Sequence, residues 1–303
     1  MIDGDITGDT TAKLPITVLL AVKNEAVNLP RCLDALSLAM RVIVVDSHST
    51  DSTVEIALAR GAEVVQFDYW GGYPKKRQWA LEHIGIETTW VLLLDADEVV
   101  PDAMWREIAA AVVRPDGPDA YLIKKGFHFL GRRFHHGGFS HSAVLLFRNG
   151  TARFEQLLDD TPDSLDMEIH ERVVVQGGIG KLKTPLIHED FKGLEAYITR
   201  HNKYSTWEAR VRHRYLTSGR YGEDTIEPRP FGNSQERRRF LKALIMRLPF
   251  EQHLWFLYHY VLRLGILEGR PGLIACQIRA SYIEQTRAKI YDLKRQARTF
   301  VGR

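Results

Sequence analysis

The sequence has few or none of the features that mark several common protein classes. Its 303 residues include only two cysteines, Cys32 and Cys276, which argues against a disulfide scaffold or a cysteine-based zinc site and favours a reducing compartment. Residues 1–13 are polar and lack an apolar core, so we expect a flexible tail there and not a signal peptide. No stretch approaches the ~20 mostly apolar residues of a spanning helix. An RNA-binding aromatic signature is also absent, so nucleic acid is not expected as a partner.

The residues that are present describe an ordinary globular chain with unevenly distributed charge. Apolar residues make up 45% of the chain and charged residues 26%. Residues 1–199 contain 20 Lys and Arg against 29 Asp and Glu, whereas residues 200–303 contain 21 against 9. The acidic first part suits a site that uses a cation. The basic second part indicates an anionic partner or, alternatively, solvated helical faces.

Strands and helices alternate four times in the first 118 residues. The predicted strands are Ile16–Val22, Arg41–Asp46, Glu63–Phe67 and Trp90–Leu94. The predicted helices are one that follows Asn24-Glu25 with Leu29, Leu33, Leu36 and Met40 on its apolar side, one capped by Ser49-Thr50-Asp51, one beginning at Pro74, and Pro101–Val113. This alternation is typical of a parallel, doubly wound α/β sheet.

The rhythm changes after Pro118. Short strands separated by glycines are predicted at Tyr121–Ile123, Ala143–Phe147 and Val173–Val175. We expect them to form a mixed-sheet half that closes over the first half. Helix predominates from Leu194 onward, interrupted by a Gly- and Pro-rich stretch, Thr217–Asn233, that is predicted to be a mobile loop.

The most informative run is Trp90–Glu98, in which an apolar strand leads directly into Asp95-Ala96-Asp97. In open α/β sheets, ligands bind beyond the carboxyl ends of the strands. Mg²⁺ is commonly held there by one or two carboxylates together with substrate phosphates. The run therefore predicts a metal-diphosphate site, with an acidic loop that caps the next helix as the alternative.

Several such motifs occur in a fixed order. They are Ala21-Val22-Lys23-Asn24-Glu25, Val45-Asp46-Ser47-His48-Ser49-Thr50-Asp51-Ser52-Thr53, Lys75-Lys76-Arg77-Gln78, Leu94-Asp95-Ala96-Asp97-Glu98, His170-Glu171 and Ile187-His188-Glu189-Asp190. Together they resemble an inverting glycosyltransferase of family 2, in the subgroup of lipopolysaccharide-core glucosyltransferases. The resemblance covers roughly residues 14–200.

The resemblance implies a GT-A-type, Rossmann-like mixed α/β sheet flanked by helices, followed by a helical, basic C-terminal extension. We expect a catalytic domain at 14–192, divided into a nucleotide-binding half (14–118) and an acceptor-side half (119–192). A helical C-terminal region, which is a candidate for membrane association, is expected at 193–303.

The resemblance also implies which residues contact the nucleotide: Asn24, Glu25, Asp46, Arg77 and Asp95. For Asp46 there is a physical reason, since a carboxylate at a strand end accepts the N–H of uracil; helix capping is the alternative. Glu25 is alternatively a first-turn acid that complements the helix dipole. The neighbouring Lys75 and Lys76 are equally well explained as solvated side chains.

Asp97 and His188 are implied as ligands of Mg²⁺ or Mn²⁺, with Glu98 either supporting the loop or beginning the next helix. Inversion needs a base that accepts the proton of the acceptor hydroxyl. The resemblance points to Glu171 for this role, with Glu189 and Asp190 as rivals.

Two further segments are interpreted from their composition. Gly137-Gly138, after His135-His136, is read as a turn that lets the backbone approach the sugar or the acceptor. The segment Phe250–Leu264 mixes aromatic and aliphatic residues with cations, which favours an interfacial helix at an anionic membrane. A helical cap packed on the catalytic domain is the alternative.

The function implied is transfer of a hexose, with glucose preferred, from a UDP-sugar to a hydroxyl of a lipid-linked or lipopolysaccharide-type glycan. The expected location is cytoplasmic, peripheral on the inner face of the cell membrane. A nucleotidyltransferase acting on sugar phosphates is the alternative among enzymes, although the chain lacks its Gly-rich phosphate loop after the first strand. A non-catalytic membrane-bound adaptor with the same fold is the third reading.

Overall fold

The structure is a computed structural model that describes residues 12–157, 165–168, 171–223, 225–232 and 234–301. Apart from its last two positions, the tail expected over 1–13 lies outside the described residues. His170 and Asn233, which two of the sequence predictions include, also lie outside them.

Strands dominate the first two thirds of the described chain, and helices the last third. In chain order, strands β1 to β14 are Leu14–Val22, Ala39–Asp46, Glu63–Gln66, Trp90–Leu94, Glu98–Val99, Ala120–Phe129, Arg132–Arg133, His141–Arg148, Ala152–Phe154, Gln156–Leu157, Val173–Val175, Ile179–Lys181, Leu186–His188 and Gly222–Glu223. Helices α1 to α8 are Leu29–Asp34, Thr53–Ala59, Lys76–His83, Asp102–Val112, Gly193–Ser218, Ser234–Ile245, Glu251–Leu257 and Gly269–Val301. A π-helical turn, Tyr258–Leu262, continues α7, and a 3₁₀ turn, Gly265–Glu268, precedes α8.

One ten-stranded sheet organises the chain from β1 to β13, in the order β3-β2-β1-β4-β8-β6-β13-β5, with β7 and β12 also paired to β6. Strands β1 to β4 are parallel to one another. Strand β8 is antiparallel to both β4 and β6, and β13 is parallel to β6 but antiparallel to β5. The mixed α/β sheet predicted for a GT-A-like fold is confirmed.

The core lies around the central strands of this sheet. All five residues of β4 are buried, and Val18 and Leu20 of β1 are fully inaccessible. Strands covered on both faces read as continuous apolar runs, which is why these two were recognisable in the sequence. Truncating one such side chain, for example Leu92→Ala, would cost about 2–5 kcal/mol of stability.

The expectation that the second half closes over the first is wrong. Strands β8, β6 and β13 instead extend the same sheet beyond β4. Residues Trp90 to Leu92 pair with Arg148 to Leu146 of β8. This pairing satisfies backbone groups of β4 that would otherwise form an exposed sheet edge.

Three local predictions also need correction. Met40 does not continue the first helix but lies in β2, where it is 51% exposed. Helix α3 begins at Lys76, two residues after the predicted Pro74, which follows a cis peptide bond. Within the stretch predicted as a loop, α5 runs to Ser218, and β14 pairs with β10.

The helical nature of the C-terminal region is confirmed. The long helices α5 and α8 pack together, and a buried Arg212 links helices α5 and α7. Its guanidinium donates to Glu208 at 2.8 Å and to Glu251 at 2.9 Å. Within the described ranges, no helix combines the length and apolarity needed to cross a bilayer.

Candidate functional site

Register in the parallel part of the sheet brings the ends of three strands together. Val22 of β1 is level with Asp46 of β2, and Leu20 is level with Leu94 of β4. Asp46 and Asp95 therefore emerge at the same rim. This is the rim at which the sequence predicts a metal-diphosphate site.

Asp95 lies between two cations. Its carboxylate pairs with the guanidinium of Arg77, and its Oδ2 accepts a hydrogen bond from Lys125 Nζ at 2.7 Å. Burial alone would raise the pKa of Asp95, but Lys125 and Arg77 hold it well below the usual range. Asp95 is therefore ionised at any physiological pH.

Glu98 supports the acidic loop from below, as one of the two sequence interpretations held. It is fully buried, and its Oε2 accepts the backbone N–H of Asp95 at 2.9 Å. Its Oε1 lies 2.6 Å from Lys125 Nζ. Burial raises the pKa of Glu98 against the opposing pull of Lys125. It does not begin the next helix, which starts at Asp102.

The pairing of two strands, β5 and β13, brings Asp97 and His188 together. The antiparallel pairing of β13 with β5 sets His188 level with Glu98, which places His188 Nε2 3.3 Å from Asp97 Oδ2. Burial would lower the pKa of His188, but the Asp97 carboxylate outweighs that effect and the pKa rises to about 9. The structure thus brings together the two residues that the sequence predicts as metal ligands.

The pair fits a divalent cation that is shared with a diphosphate. An aspartate oxygen and an imidazole nitrogen are both donors that Mn²⁺ accepts. In the part of the chain that the structure describes, no group of three or more His, Cys, Asp or Glu side chains is placed to hold a metal. A site completed by substrate phosphates needs no such protein cage. Binding would displace the proton of His188, since only neutral imidazole is a ligand.

Arg77 retains one unused donor. Besides the Asp95 pair, Nη1 donates to the carbonyl of Glu168 at 3.0 Å. Its Nε is buried and has no hydrogen-bond partner among the described residues. A buried donor without a partner is costly, so an acceptor atom of a ligand would stabilise it. This supports the prediction that Arg77 contacts the nucleotide.

Asn24 and Glu25 form the loop after β1. Asn24 has a positive φ of 53° and its Oδ1 accepts the N–H of Thr50 at 2.7 Å, which joins the loops after β1 and β2. Glu25 pairs with Lys192 at 2.6 Å. Burial raises the pKa of Glu25, while Lys192 and Asn28 oppose the rise. Both residues lie at the expected rim.

Asp46 is fully buried and already engaged within its own loop. One carboxylate oxygen accepts the backbone N–H of Ser49 at 2.9 Å, and the other accepts the Ser49 hydroxyl. Contact with a base would require one of these bonds to be exchanged. The nucleotide role of Asp46 stays a prediction.

Lys75 and Lys76 are not solvated side chains, because both are at least nine-tenths buried. Lys76 Nζ donates to the carbonyl of Val22 at 2.7 Å and lies 3.1 Å from Asp166. Lys75 Nζ pairs with Glu171 at 2.6 Å and lies over the ring of Trp207. The predicted base Glu171 is therefore held in a buried ion pair.

Asp190 emerges from the rim directly after His188. It accepts hydrogen bonds from Asn28 at 2.9 Å and from Arg200 at 2.7 Å. Burial would raise the pKa of Asp190, but its hydrogen bonds to Lys192, Asn28 and Arg200 lower it. Glu189, the third candidate for the base, is paired with Arg31 at 2.9 Å.

Sequence reasoning missed four residues of this site. Lys125 pairs with Asp95 and Glu98, and Glu168 contacts Arg77. Arg200 and Tyr204 come from α5 and lie within the electrostatic influence of Asp97. The electrostatic influence of Asp95 and Asp97 reaches Tyr204, whose pKa is raised mainly by burial. Glu168 accepts the backbone N–H groups of Arg77 and Gln78 and thereby caps α3. A lysine inside the apolar strand β6 was the one signal available.

The Gly137-Gly138 turn is present, with φ of 78° and 69°. It faces the C-terminal helices instead of the acidic rim. The N–H of Gly137 bonds to the carbonyl of Arg263 at 2.8 Å, and its carbonyl accepts from His259 Nδ1 at 2.6 Å. The turn therefore attaches the sheet to the C-terminal region.

Comparison with known proteins agrees with this geometry. The profile of "Glycosyl transferase family 2" matches residues 17–163, which contain most of β1, strands β2 to β10, and the acids Asp46, Asp95 and Asp97. The fold and the match define a glycosyltransferase. The chain belongs to glycosyltransferase family 2 and is an enzyme of that family.

Two curated relatives illustrate the range of similarity. The lipopolysaccharide core biosynthesis glycosyltransferase LpsC of Rhizobium meliloti (strain 1021) is 26% identical over 292 residues, which is 92% of this chain and 93% of LpsC. An uncharacterized glycosyltransferase of Rickettsia bellii (strain RML369-C) is 40% identical over 108 residues, 35% of each chain.

Two solved structures show weaker likeness. Glucosyl-3-phosphoglycerate synthase from Mycobacterium tuberculosis, in complex with Mn²⁺, UDP and glucosyl-3-phosphoglycerate, is 26% identical with a TM-score of 0.30, over 39% of this chain and 45% of that one. TarS 1–349 of S. aureus is 18% identical with a TM-score of 0.41, over 93% of this chain and 91% of that one.

The first prediction concerns Lys125, which lies between Asp95 and Glu98. Lys125→Met leaves two buried carboxylates short of a cation, so we expect a loss of about 3 kcal/mol of unfolding free energy at neutral pH. Urea denaturation measures it. The adjacent, exposed Lys124→Met is the matched control and should change stability by less than about 0.5 kcal/mol.

The pH dependence has a definite sign. In the wild type, the lowered pKa of Asp95 contributes stability above the unfolded value near 3.8, and this is lost as the pH falls. In Lys125→Met, Glu98 loses its cation and Asp95 keeps only Arg77, so protonation of Glu98 stabilises the fold as the pH falls. The difference in unfolding free energy between the wild type and Lys125→Met should narrow from pH 7 to pH 4. A difference that stays constant would contradict the role of Lys125 as the cation for the two carboxylates.

Proposed function

We propose that this glycosyltransferase moves a hexose, with glucose preferred, from a UDP-sugar to a hydroxyl of a lipid-linked or lipopolysaccharide-type glycan. The reaction is a single displacement with inversion at the anomeric carbon, assisted by Mg²⁺ or Mn²⁺. The observation that carries the proposal is the pairing of Asp97 with His188 beside the Asp95–Arg77–Lys125 cluster. The acids that would hold a divalent cation and the cations that would face a phosphate thus lie at the same rim of the sheet.

The acceptor class is supported by the extent of one relationship. LpsC, whose name places it in lipopolysaccharide core biosynthesis, is similar along nearly the whole of both chains. The similarity includes the C-terminal helical region and not only the family 2 part. A related acceptor is therefore a reasonable inference for this chain.

The donor side of the reaction needs charge neutralisation as the diphosphate leaves. A divalent ion held by Asp97 and His188 supplies Lewis-acid stabilisation of that leaving group. Arg77 contributes its Nε donor, which has no partner in the part of the chain that the structure describes, and Lys125 fixes Asp95 in its ionised form. These donors are preorganised in a buried site, where electrostatic interactions are stronger than in water.

On the acceptor side, a carboxylate takes the proton of the attacking hydroxyl while the bond between the anomeric carbon and the diphosphate breaks. The contacts favour Asp190 over the predicted Glu171. Asp190 follows His188 by two residues at the metal-binding rim, and its lowered pKa keeps it ionised. The contacts of Glu171 lead instead to Lys75 beneath Trp207.

The other two readings are less well supported. A nucleotidyltransferase is disfavoured because the chain belongs to family 2. A non-catalytic adaptor has no need to hold Asp95 between two cations or to keep Asp97 paired with His188. Activity measurements separate these readings directly.

The second prediction tests the metal pair. Asp97→Ala should lower UDP release from UDP-glucose in the presence of Mn²⁺ and acceptor by at least about 100-fold, because leaving-group stabilisation is lost. Calorimetry should also show weaker Mn²⁺-dependent binding of UDP-glucose. Asp102→Ala, an exposed acid on α4, is the control. Unchanged activity in Asp97→Ala would refute the metal site.

The third prediction ranks the two base candidates. Asp190→Asn should reduce kcat by about 100-fold or more while the KM for UDP-glucose changes little, because the base acts only on the acceptor. Glu171→Gln should retain most of the kcat. The opposite ranking would assign the role to Glu171.

We also propose that the enzyme binds peripherally to the inner, cytoplasmic face of an anionic membrane. Apolar residues at helical spacing lie on the exposed face of α6 and the turn that follows it. A second set lies on the exposed face of α7 and the π-helical turn that continues α7. These exposed residues, the C-terminal apolar residues, are Leu241, Leu244, Ile245, Leu248, Leu254, Leu257, Tyr258, Val261 and Leu262. An apolar stripe normally faces the core. In this structure both apolar stripes, the one on α6 and the one on α7, face outward.

Charge selects a membrane as the occupant of this surface. The exposed Arg247 and Arg263 lie within or beside the two stripes, and Arg270 follows shortly after. Amphipathic helices with cationic flanks bind anionic interfaces, at about 1 kcal/mol for each well-placed cation. Exposed apolar residues clustered in this way mark an interaction site.

The fourth prediction concerns membrane association. Leu244→Gln/Leu262→Gln should reduce flotation with vesicles of phosphatidylglycerol and phosphatidylcholine by about tenfold, since two large apolar side chains no longer enter the interface. The control Leu58→Gln/Val113→Gln changes equally exposed apolar residues elsewhere. Equal flotation of both variants would contradict the proposed surface.

A further inference from the structure

A cleft of about 380 Å³ lies in the C-terminal region, away from the acidic rim. Helices α5 and α8 and the end of α6 enclose it. Its lining residues are Arg212, Leu216, Met246, Arg247, Arg287, Ile290, Tyr291 and Lys294. The volume is in the range of small-molecule sites, about 300–1,000 Å³.

The cleft has an excess of positive charge. The charge of Arg212 is neutralised, because Glu208 and Glu251 both pair with its guanidinium. At the rim, neither Arg247 nor Lys294 has a carboxylate partner among the described residues, and Arg247 lies over the ring of Tyr215, 5.8 Å from its centre. Two exposed cations are therefore free to bind an anion.

A third cation is oriented at the same opening. Arg287 Nη1 donates to the carbonyl of Leu248 at 3.1 Å and lies 3.5 Å from Glu251 Oε2. Arg287 therefore bridges the end of α6 to α8 and holds the cleft in shape. A second opening of about 300 Å³ continues along α8, lined by Tyr291, Lys294, Arg295 and Arg298.

The remaining lining is apolar. Leu216, Met246 and Ile290 form that part, while Tyr291 is 73% exposed at the edge. Met246 and Arg247 also directly precede Leu248, one of the C-terminal apolar residues. A ligand that matches this lining carries a negative charge on one end and hydrocarbon on the other.

We propose that this cleft binds the phosphate group of a lipid between Arg247, Arg287 and Lys294, with the adjoining hydrocarbon against Leu216, Met246 and Ile290. Arginine and lysine are the usual partners of phosphate. The site is separate from the catalytic rim, since Arg212 lies eight residues beyond Tyr204 on α5, about 12 Å along the helix. Binding of a single lipid molecule to this cleft does not require a bilayer.

The probe is dihexanoyl phosphatidic acid below its critical micelle concentration, which presents a lipid phosphate without a bilayer. Calorimetry should show binding to the full-length enzyme and none of dihexanoyl phosphatidylcholine at the same concentrations. Arg247→Gln/Lys294→Gln should weaken binding by about 30-fold, since two cations each contribute about fivefold. Circular dichroism verifies that the variant is folded.

The matched control, Arg106→Gln/Lys181→Gln, removes the same two charges from exposed positions outside the C-terminal region and should bind as the wild type does. Equal weakening in both variants would show nonspecific attraction and overturn the proposal. So would binding of inorganic phosphate as tight as that of dihexanoyl phosphatidic acid, because the hydrocarbon would then play no part.

Two sources share this chemistry: a phospholipid of the bilayer and the phosphorylated lipid of an acceptor. Flotation with phosphatidylglycerol vesicles distinguishes them. If the cleft takes bilayer phospholipid, Lys294→Gln, which lies outside the apolar stripes and leaves Arg247 in place, will weaken vesicle binding as well as binding of dihexanoyl phosphatidic acid. If vesicle binding persists while binding of dihexanoyl phosphatidic acid is lost, the cleft serves a lipid that the bilayer does not supply.

Discussion

The site depends on keeping several carboxylates charged at the buried rim of a sheet. Asp95 and Glu98 lie three positions apart and share Lys125, while Arg77 closes the cluster from α3. Without these cations, burial and mutual repulsion would protonate the acids or open the loop. The cluster therefore fixes the loop that carries Asp97, and the position of Asp97 opposite His188 depends on it.

The antiparallel extension of the sheet supplies the other half of the site. Lys125 comes from β6 and His188 from β13, both on the far side of β8 from the strand that ends at Asp95. A purely parallel sheet would end at β4 and leave the acids without a cation below or an imidazole opposite. The second half of the sheet thus completes the site by extending the edge, not by folding over it.

How much of this follows from the sequence depends on the range of the interactions. The strands β1, β2 and β4 and the acids at their ends are local patterns, and the structure bears them out. Lys125 was missed because its partners lie some thirty positions earlier, and only strand pairing brings them together. Lys75 and Lys76 were misjudged for the same reason, since their carboxylate partners come from the distant segment at residues 166–171.

The C-terminal helices show the limit of periodicity as a guide to burial. The spacing of Leu244 and Leu257 with their neighbours predicts amphipathic helices but not which face is covered. The structure turns these stripes outward and attaches them rigidly to the sheet. Glu268 accepts the N–H groups of His135 and His136 at 2.7 Å each. At Gly138 the φ of 69° and a Cβ that would lie 3.2 Å from His259 Nδ1 both favour glycine. The attached residues lie between β7 and β8, both of which pair with β6, the strand that carries Lys125. A membrane bound through the apolar stripes, as proposed, would therefore hold the acidic rim at one orientation.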